Sequence, residues 1–266
     1  MKDIFAFCLR RSGHTAISNW IGAALQPSHS LKDCNMSGGK LSAPVVQIIE
    51  NDELKSEIYR EGCGRQYDDK EQRYEYLKDY KLLLTAFEDS NHIDFNTGCI
   101  RDIVKRYAII DNPKIVVVVR DPFNLFASRI WRNRESNEVP YNDRAAGWYN
   151  VQLRQWRTEE DFLFIDYAGW VINKTYRRYL AKKLDLPFTD TFHNRQANIS
   201  SFNDFDHKAV VNGFFERWCQ FLAKASKKQK KEYLKLLNNI DMRLVGAFFP
   251  YIDCESRMRE IKSLIE

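Results

Sequence analysis

The chain has 266 residues, 44% of them hydrophobic, which is long enough for a sizeable α/β core and too apolar for a disordered chain. Its 41 Lys and Arg against 36 Asp and Glu leave a formal charge of +5, which suits an anionic ligand but falls short of a dedicated nucleic-acid-binding chain. The first apolar run, Ile4 to Leu9, is too short for a signal-peptide core, and no run approaches the ~20 residues that span a bilayer. A soluble, cytoplasmic protein with no membrane partner is expected. Cys8, Cys34, Cys63, Cys99, Cys219 and Cys254 are scattered, with no CxxC pair and no zinc-ligand spacing, so free thiols and no metal are expected.

In chain order, Ile4 to Leu9 reads as a buried strand and Thr15 to Leu25 as the helix after it, stopped at Gln26-Pro27. Val45 to Ile49 reads as a second strand, after a polar stretch without a firm pattern. The charge-rich segment Asp52 to Asp79 reads as helical in two pieces, broken near Gly62 and Gly64. Lys81 to Phe87 and Lys114 to Val119 are clear strands with an amphipathic helix, Cys99 to Ile110, between them. Continuous apolar runs of this kind indicate strands covered on both faces. The expected fold is therefore α/β: a three-layer, doubly wound parallel sheet, with a helical C-terminal part, in one domain over 1–266.

Asp121 and Pro122 then mark the start of a helix to Arg132, as N-cap and first-turn proline. Asn142 to Thr158 reads as a helix and "DFLFIDY" (161–167) as a strand. Helices are expected over Val171 to Leu184, Lys208 to Ala225, Lys227 to Asn238 and Cys254 to Ile265. The lysines of "KASKKQKKEY" (224–233) read as a solvated helix face, not a nucleic-acid patch.

Two segments carry chemistry. Leu9-Arg10-Arg11-Ser12-Gly13-His14-Thr15-Ala16 joins a buried strand to a helix N-terminus, where free N–H groups and the positive end of the helix dipole favour an anion. Arg11, Ser12 and Thr15 add side-chain donors, and Gly13 permits close backbone approach. The loop is P-loop-like in position but lacks GxxxxGK(S/T); Gly39-Lys40 is followed by Leu41, which disfavours a triphosphate with magnesium. In the second segment, "VVVVRDPFNLFASRI" (116–130), Arg120 stands at a strand end and Ser128 about two helical turns later, a second phosphate clamp at the crevice where open α/β sheets bind ligands. Two such sites suit a nucleotide with phosphates at both ends of its ribose.

Arg11-Ser12-Gly13-His14-Thr15, together with Arg120 and Ser128, resembles the sulfotransferases that use 3′-phosphoadenosine 5′-phosphosulfate (PAPS). Their 5′-phosphosulfate loop commonly reads (K/R)SGT(T/S), and their 3′-phosphate motif has Arg at a strand end and Ser eight residues on. "FIDYAGWVINKTYRRYLAKKLDLP" (164–187) is similar to the strand and helix that follow in that family. The resemblance covers roughly residues 3 to 187, and its compact form is closest to bacterial, cyanobacterial or phage members acting on small molecules, including secondary metabolites.

The resemblance implies that Arg11, Ser12, Gly13, His14, Thr15 and Ala16 hold the 5′-phosphosulfate and that Arg120 and Ser128 hold the 3′-phosphate. Arg11 stands where many members have Lys, and His14 where Thr is usual. The implied reaction is in-line sulfuryl transfer to a hydroxyl or amine of a small-molecule acceptor, without a metal. A base is needed; in the family it commonly follows the strand before the 3′-phosphate strand, here "KLLLTAF", which makes Glu88 the first candidate, ahead of Asp89, His92 and His14. "ISSFNDF" (199–205) with Arg217 and Trp218 is a candidate cover for the adenosine. His29, Asp33, Trp131 and Tyr141 are candidates for the acceptor pocket. The alternatives are a nucleotide or small-molecule kinase with an atypical loop, or a non-catalytic nucleotide- or RNA-binding module using Arg10, Arg11 and the lysines of 227–231.

Overall fold

The computed structural model describes residues 2–9, 11–25, 45–50, 53–58, 82–88, 96–108, 110–136, 142–190 and 216–265. Its strands are β1 (Lys2–Cys8), β2 (Val45–Glu50), β3 (Glu53–Ile58), β4 (Leu82–Glu88), β5 (Lys114–Val119) and β6 (Phe162–Asp166). They form one sheet in the order β3-β2-β4-β1-β5-β6. The four strands β4, β1, β5 and β6 are parallel, as the continuous apolar runs require, and β2 and β3 add to one edge antiparallel. The parallel sheet expected from the sequence is present in these four strands, and the antiparallel edge is an addition that the sequence reading did not include. Glu53–Ile58 is also a strand where a helix was expected; the remainder of that charge-rich segment lies outside the described residues.

The helices are α1 (His14–Leu25), α2 (Thr97–Tyr107), α3 (Pro122–Ser136), α4 (Asn142–Thr158), α5 (Tyr167–Ile172), α6 (Lys174–Lys183), α7 (Arg217–Lys224), α8 (Lys227–Asn238), α9 (Met242–Phe248) and α10 (Cys254–Ile265). Side chains alternate across a strand, and β1 and β5 bury both sets. Phe5, Phe7, Val117 and Val119 join residues of α2, α3, α4 and α7 to α10 in one core. Ile4, Ala6, Cys8, Val116 and Val118 join α1, α5 and α6 in a second core. In α1 that face is Ile17, Trp20, Ile21 and Ala24, the 3–4 spacing of an amphipathic helix.

The single helix expected over Val171 to Leu184 is broken at Asn173, whose side chain accepts the Tyr176 N–H and caps α6. The buried Arg177 bridges the break. It donates to the carbonyls of Trp170 and Val171, at 2.8 and 3.0 Å, and pairs with Asp190 at 2.7 Å. In α8, Ser226 and Gln229 form a capping box, which starts the helix at the expected residue. Helix α9, which the sequence pattern does not resolve, is capped by Asp241. No helix among the described residues is long and apolar enough to cross a membrane.

Candidate anion-binding site

Parallel register brings four strand ends to one edge of the sheet. Cys8 of β1 pairs with Glu88 of β4 and Val118 of β5, and Val119 pairs with Asp166 of β6. The ends of β1, β4, β5 and β6, with Glu88 and the residue before Arg120 among them, therefore lie along one edge of the sheet, the side on which α/β sheets place their ligands.

The loop after β1 turns sharply. The Ser12 N–H donates to the Leu9 carbonyl at 3.0 Å, and the Gly13 carbonyl accepts from Ala16 and Ile17 to begin α1. Arg11 has φ +74° and Gly13 φ +94°, both in the left-handed region. Gly13 is required on two counts, since a Cβ there would also stand 2.3 Å from the Tyr167 ring. The N–H groups of His14 and Thr15, ahead of Ala16 and Ile17, have no intrahelical acceptor. The Ser12 hydroxyl is buried and has no hydrogen-bond partner among the described residues. A buried, unmatched donor beside a helix N-terminus is suited to an anion.

The second segment folds onto this loop. Asp121 caps α3 by accepting the Asn124 N–H at 2.9 Å, as its place before Pro122 implies. Arg120, 3% exposed, donates from Nη1 to the Arg11 carbonyl at 2.9 Å, and Arg11 donates from Nε to Ser128 Oγ at 3.2 Å. The two stretches, separate in the sequence, thus make one hydrogen-bonded cluster. Tyr149 of α4 donates to the Arg120 carbonyl at 2.9 Å and fixes the strand end from below.

Positive charge is concentrated here. Burial and then the like charge of Arg217, with a smaller effect of Arg11, push the Arg120 guanidinium down to about 10, against the pull of Asp121 and Tyr167. Burial also lowers Arg217. Crowding guanidiniums in a partly desolvated crevice is unfavourable until an anion neutralises them.

Of the residues the sequence singles out, Arg11, Ser12, Gly13, Arg120 and Ser128 are brought together. His14, Thr15 and Ala16 form the first turn of α1, and Glu88 closes β4 beside Cys8. Asp89, His92, His29, Asp33, Tyr141 and the 199–205 segment lie outside the described residues. Trp218 is a core residue, 3% exposed, whose backbone N–H donates to Asn124 Oδ1; only Arg217 of that pair acts electrostatically on the site. Trp131 packs edge-on against Phe221 at the margin of the first core.

Two residues were missed by sequence reasoning. Tyr167, inside the quoted "FIDYAGW", lies against Gly13 and beneath Arg120, whose guanidinium carbon is 5.7 Å from the ring centroid. Asp166 caps α5 through the Ala168 N–H at 2.9 Å and accepts the Tyr251 hydroxyl at 2.9 Å. Burial pushes its carboxyl up to about 6 despite these hydrogen bonds. An acidic residue just before an amphipathic helix was the available signal for the cap; nothing local announced Tyr251.

No family model matches the chain, and no curated protein matches it. Among solved structures it is similar to mouse sulfotransferase SULT7A1 complexed with PAP, at 14% identity and a TM-score of 0.44, over 98% of this chain and 87% of that one. It is also similar to the sulfotransferase domain of the Synechococcus PCC 7002 olefin synthase, at 17% identity and a TM-score of 0.44, over 89% of this chain and 93% of that one. Likeness this distant leaves the site's own residues to decide what it binds.

Proposed function

We propose that the chain is a sulfotransferase that moves the sulfuryl group of PAPS to a hydroxyl or amine of a small-molecule acceptor. The observation that best supports this reading is the hydrogen-bonded union of the Arg11 loop with Arg120 and Ser128. It offers two adjoining sets of anion donors at the strand ends, suited to a nucleotide with a phosphate at each end of its ribose. The buried Ser12 hydroxyl and the depressed Arg120 guanidinium both fit such a ligand.

When bound, PAPS supplies the sulfuryl group, whose bond to the 5′-phosphate breaks as the acceptor oxygen or nitrogen attacks sulfur. In this reading Arg11 and the N–H groups at the start of α1 stabilise the charge left on the 5′-phosphate. Arg11 cannot protonate it, because a guanidinium does not give up its proton in this range. Arg120 and Ser128 hold the 3′-phosphate and fix the nucleotide's orientation. Glu88 takes the acceptor's proton; its place at the end of β4, paired with Cys8 just before the loop, supports that role.

Titration calorimetry with 3′-phosphoadenosine 5′-phosphate tests the reading. Binding that is lost in Arg120→Ala is expected. Absence of binding, or binding indifferent to Arg120→Ala, would overturn it. An acceptor screen with labelled PAPS then defines the second substrate.

A further inference from the structure

We propose that Tyr167 is a positioning residue of this site, a brace that fixes the spacing between its two anion-binding segments. The inference rests on the two-phosphate reading above and assigns it a residue that neither motif contains. The Tyr167 ring meets both segments. On one side it lies so close to Gly13 that a Cβ there would be 2.3 to 2.5 Å from three of its ring carbons. On the other, the Arg120 guanidinium lies over the ring, 5.7 Å from its centroid, within range of a cation–π contact.

The brace is itself held. Tyr167 stacks on Trp170 at 5.8 Å and 18°, and Trp170 meets Trp20 edge-on at 6.0 Å. Both tryptophans are essentially fully buried, and Trp20 Nε1 donates to the Thr189 carbonyl at 3.0 Å. The start of α5 is fixed by Asp166, which accepts the Ala168 N–H. Tyr167 thus has little freedom to follow either segment, and both must take their position from it.

The physical need is clear from the charges. Arg120 is buried and faces the like charges of Arg217 and Arg11, which would tend to drive the guanidiniums apart before a ligand arrives. An aromatic face attracts a desolvated cation without neutralising it. It can therefore hold Arg120 in place while leaving its charge for the ligand.

The test compares a two-phosphate and a one-phosphate ligand. In Tyr167→Leu, affinity for 3′-phosphoadenosine 5′-phosphate should fall about tenfold, the scale of a desolvated cation–π contact, while affinity for adenosine 5′-monophosphate falls much less. Tyr167→Phe, which keeps the ring, should restore the two-phosphate affinity. Equal losses for both ligands, an unchanged two-phosphate affinity in Tyr167→Leu, or failure of Phe to restore it would overturn the brace. If Tyr167→Leu does not fold, Tyr167→His, with a smaller ring and weaker face, serves the same comparison. Hydrogen exchange without nucleotide separates this inference from the reading beneath it: Tyr167→Leu should speed exchange at Ser12 to Ile17 and at Arg120, whereas unchanged exchange overturns the brace. If wild type shows no nucleotide binding, the two-phosphate reading fails, and the exchange result alone decides whether Tyr167 braces the segments.

Discussion

Arg11 donates from Nε to Ser128 Oγ at 3.2 Å, across 117 residues of chain. Ser128→Ala removes this acceptor and, on the proposed reading, one donor to a bound anion. Affinity for 3′-phosphoadenosine 5′-phosphate should fall about tenfold, as expected for one hydrogen bond to a charged group. Arg120→Ala should cost more, because it also removes the buried cation. Calorimetry on the two variants checks the order, and an equal loss in both would contradict it.

Glu88→Gln separates chemistry from binding. If Glu88 takes the acceptor's proton, kcat should fall by about 10²-fold or more while nucleotide affinity stays near wild type. Steady-state rates alongside calorimetry make the comparison. Retained turnover would pass the role to Asp89 or a histidine.

Asp166 gives the fold a pH dependence of definite sign. Its carboxyl titrates at about 6 in the folded chain against 3.8 in its ordinary state. The folded chain therefore binds the proton more tightly, and this group's contribution to stability is lost as pH rises through that interval. Asp166→Asn keeps an acceptor for the Ala168 N–H and a partner for the Tyr251 hydroxyl. The variant should show a flatter melting temperature between these pH values and a higher one at neutral pH, by an amount corresponding to about 3 kcal/mol. Thermal melts across the interval decide it, and an unchanged slope would assign the dependence elsewhere.

Tyr149→Phe tests the support beneath the site. The hydroxyl is fully buried and donates to the Arg120 carbonyl, so its loss strands an acceptor and should cost about 1–3 kcal/mol. Urea unfolding measures this. A variant as stable as wild type would show that the strand end is held without Tyr149.

Much of the fold was legible because the deciding features are local. The apolar runs of β1, β4 and β5 mark buried strands, and Asp121-Pro122 marks a helix start. Helices α4, α8 and α10 begin and end at the expected residues. β3 was misread because Glu53, Lys55 and Glu57 gave a helical impression of charge. Their alternation with Leu54, Ser56 and Ile58 was the better signal, one suited to an edge strand. The Asn173 break was missed in the same way, although a capping residue within a helical pattern was its signal. What the sequence could not disclose was Tyr167's meeting with Gly13 and Arg120, which depends on which strand ends become neighbours.

Arg11 occupies a left-handed backbone conformation, at φ +74°, that costs a residue with a Cβ roughly 1–2 kcal/mol. Asparagine is at home in that conformation, and it would also remove one of the charges that depress Arg120. A variant library selected only for heat resistance should therefore tend to discard Arg11, whereas, on the proposed reading, selection for turnover should keep it. At this one position endurance and activity would pull the sequence in opposite directions.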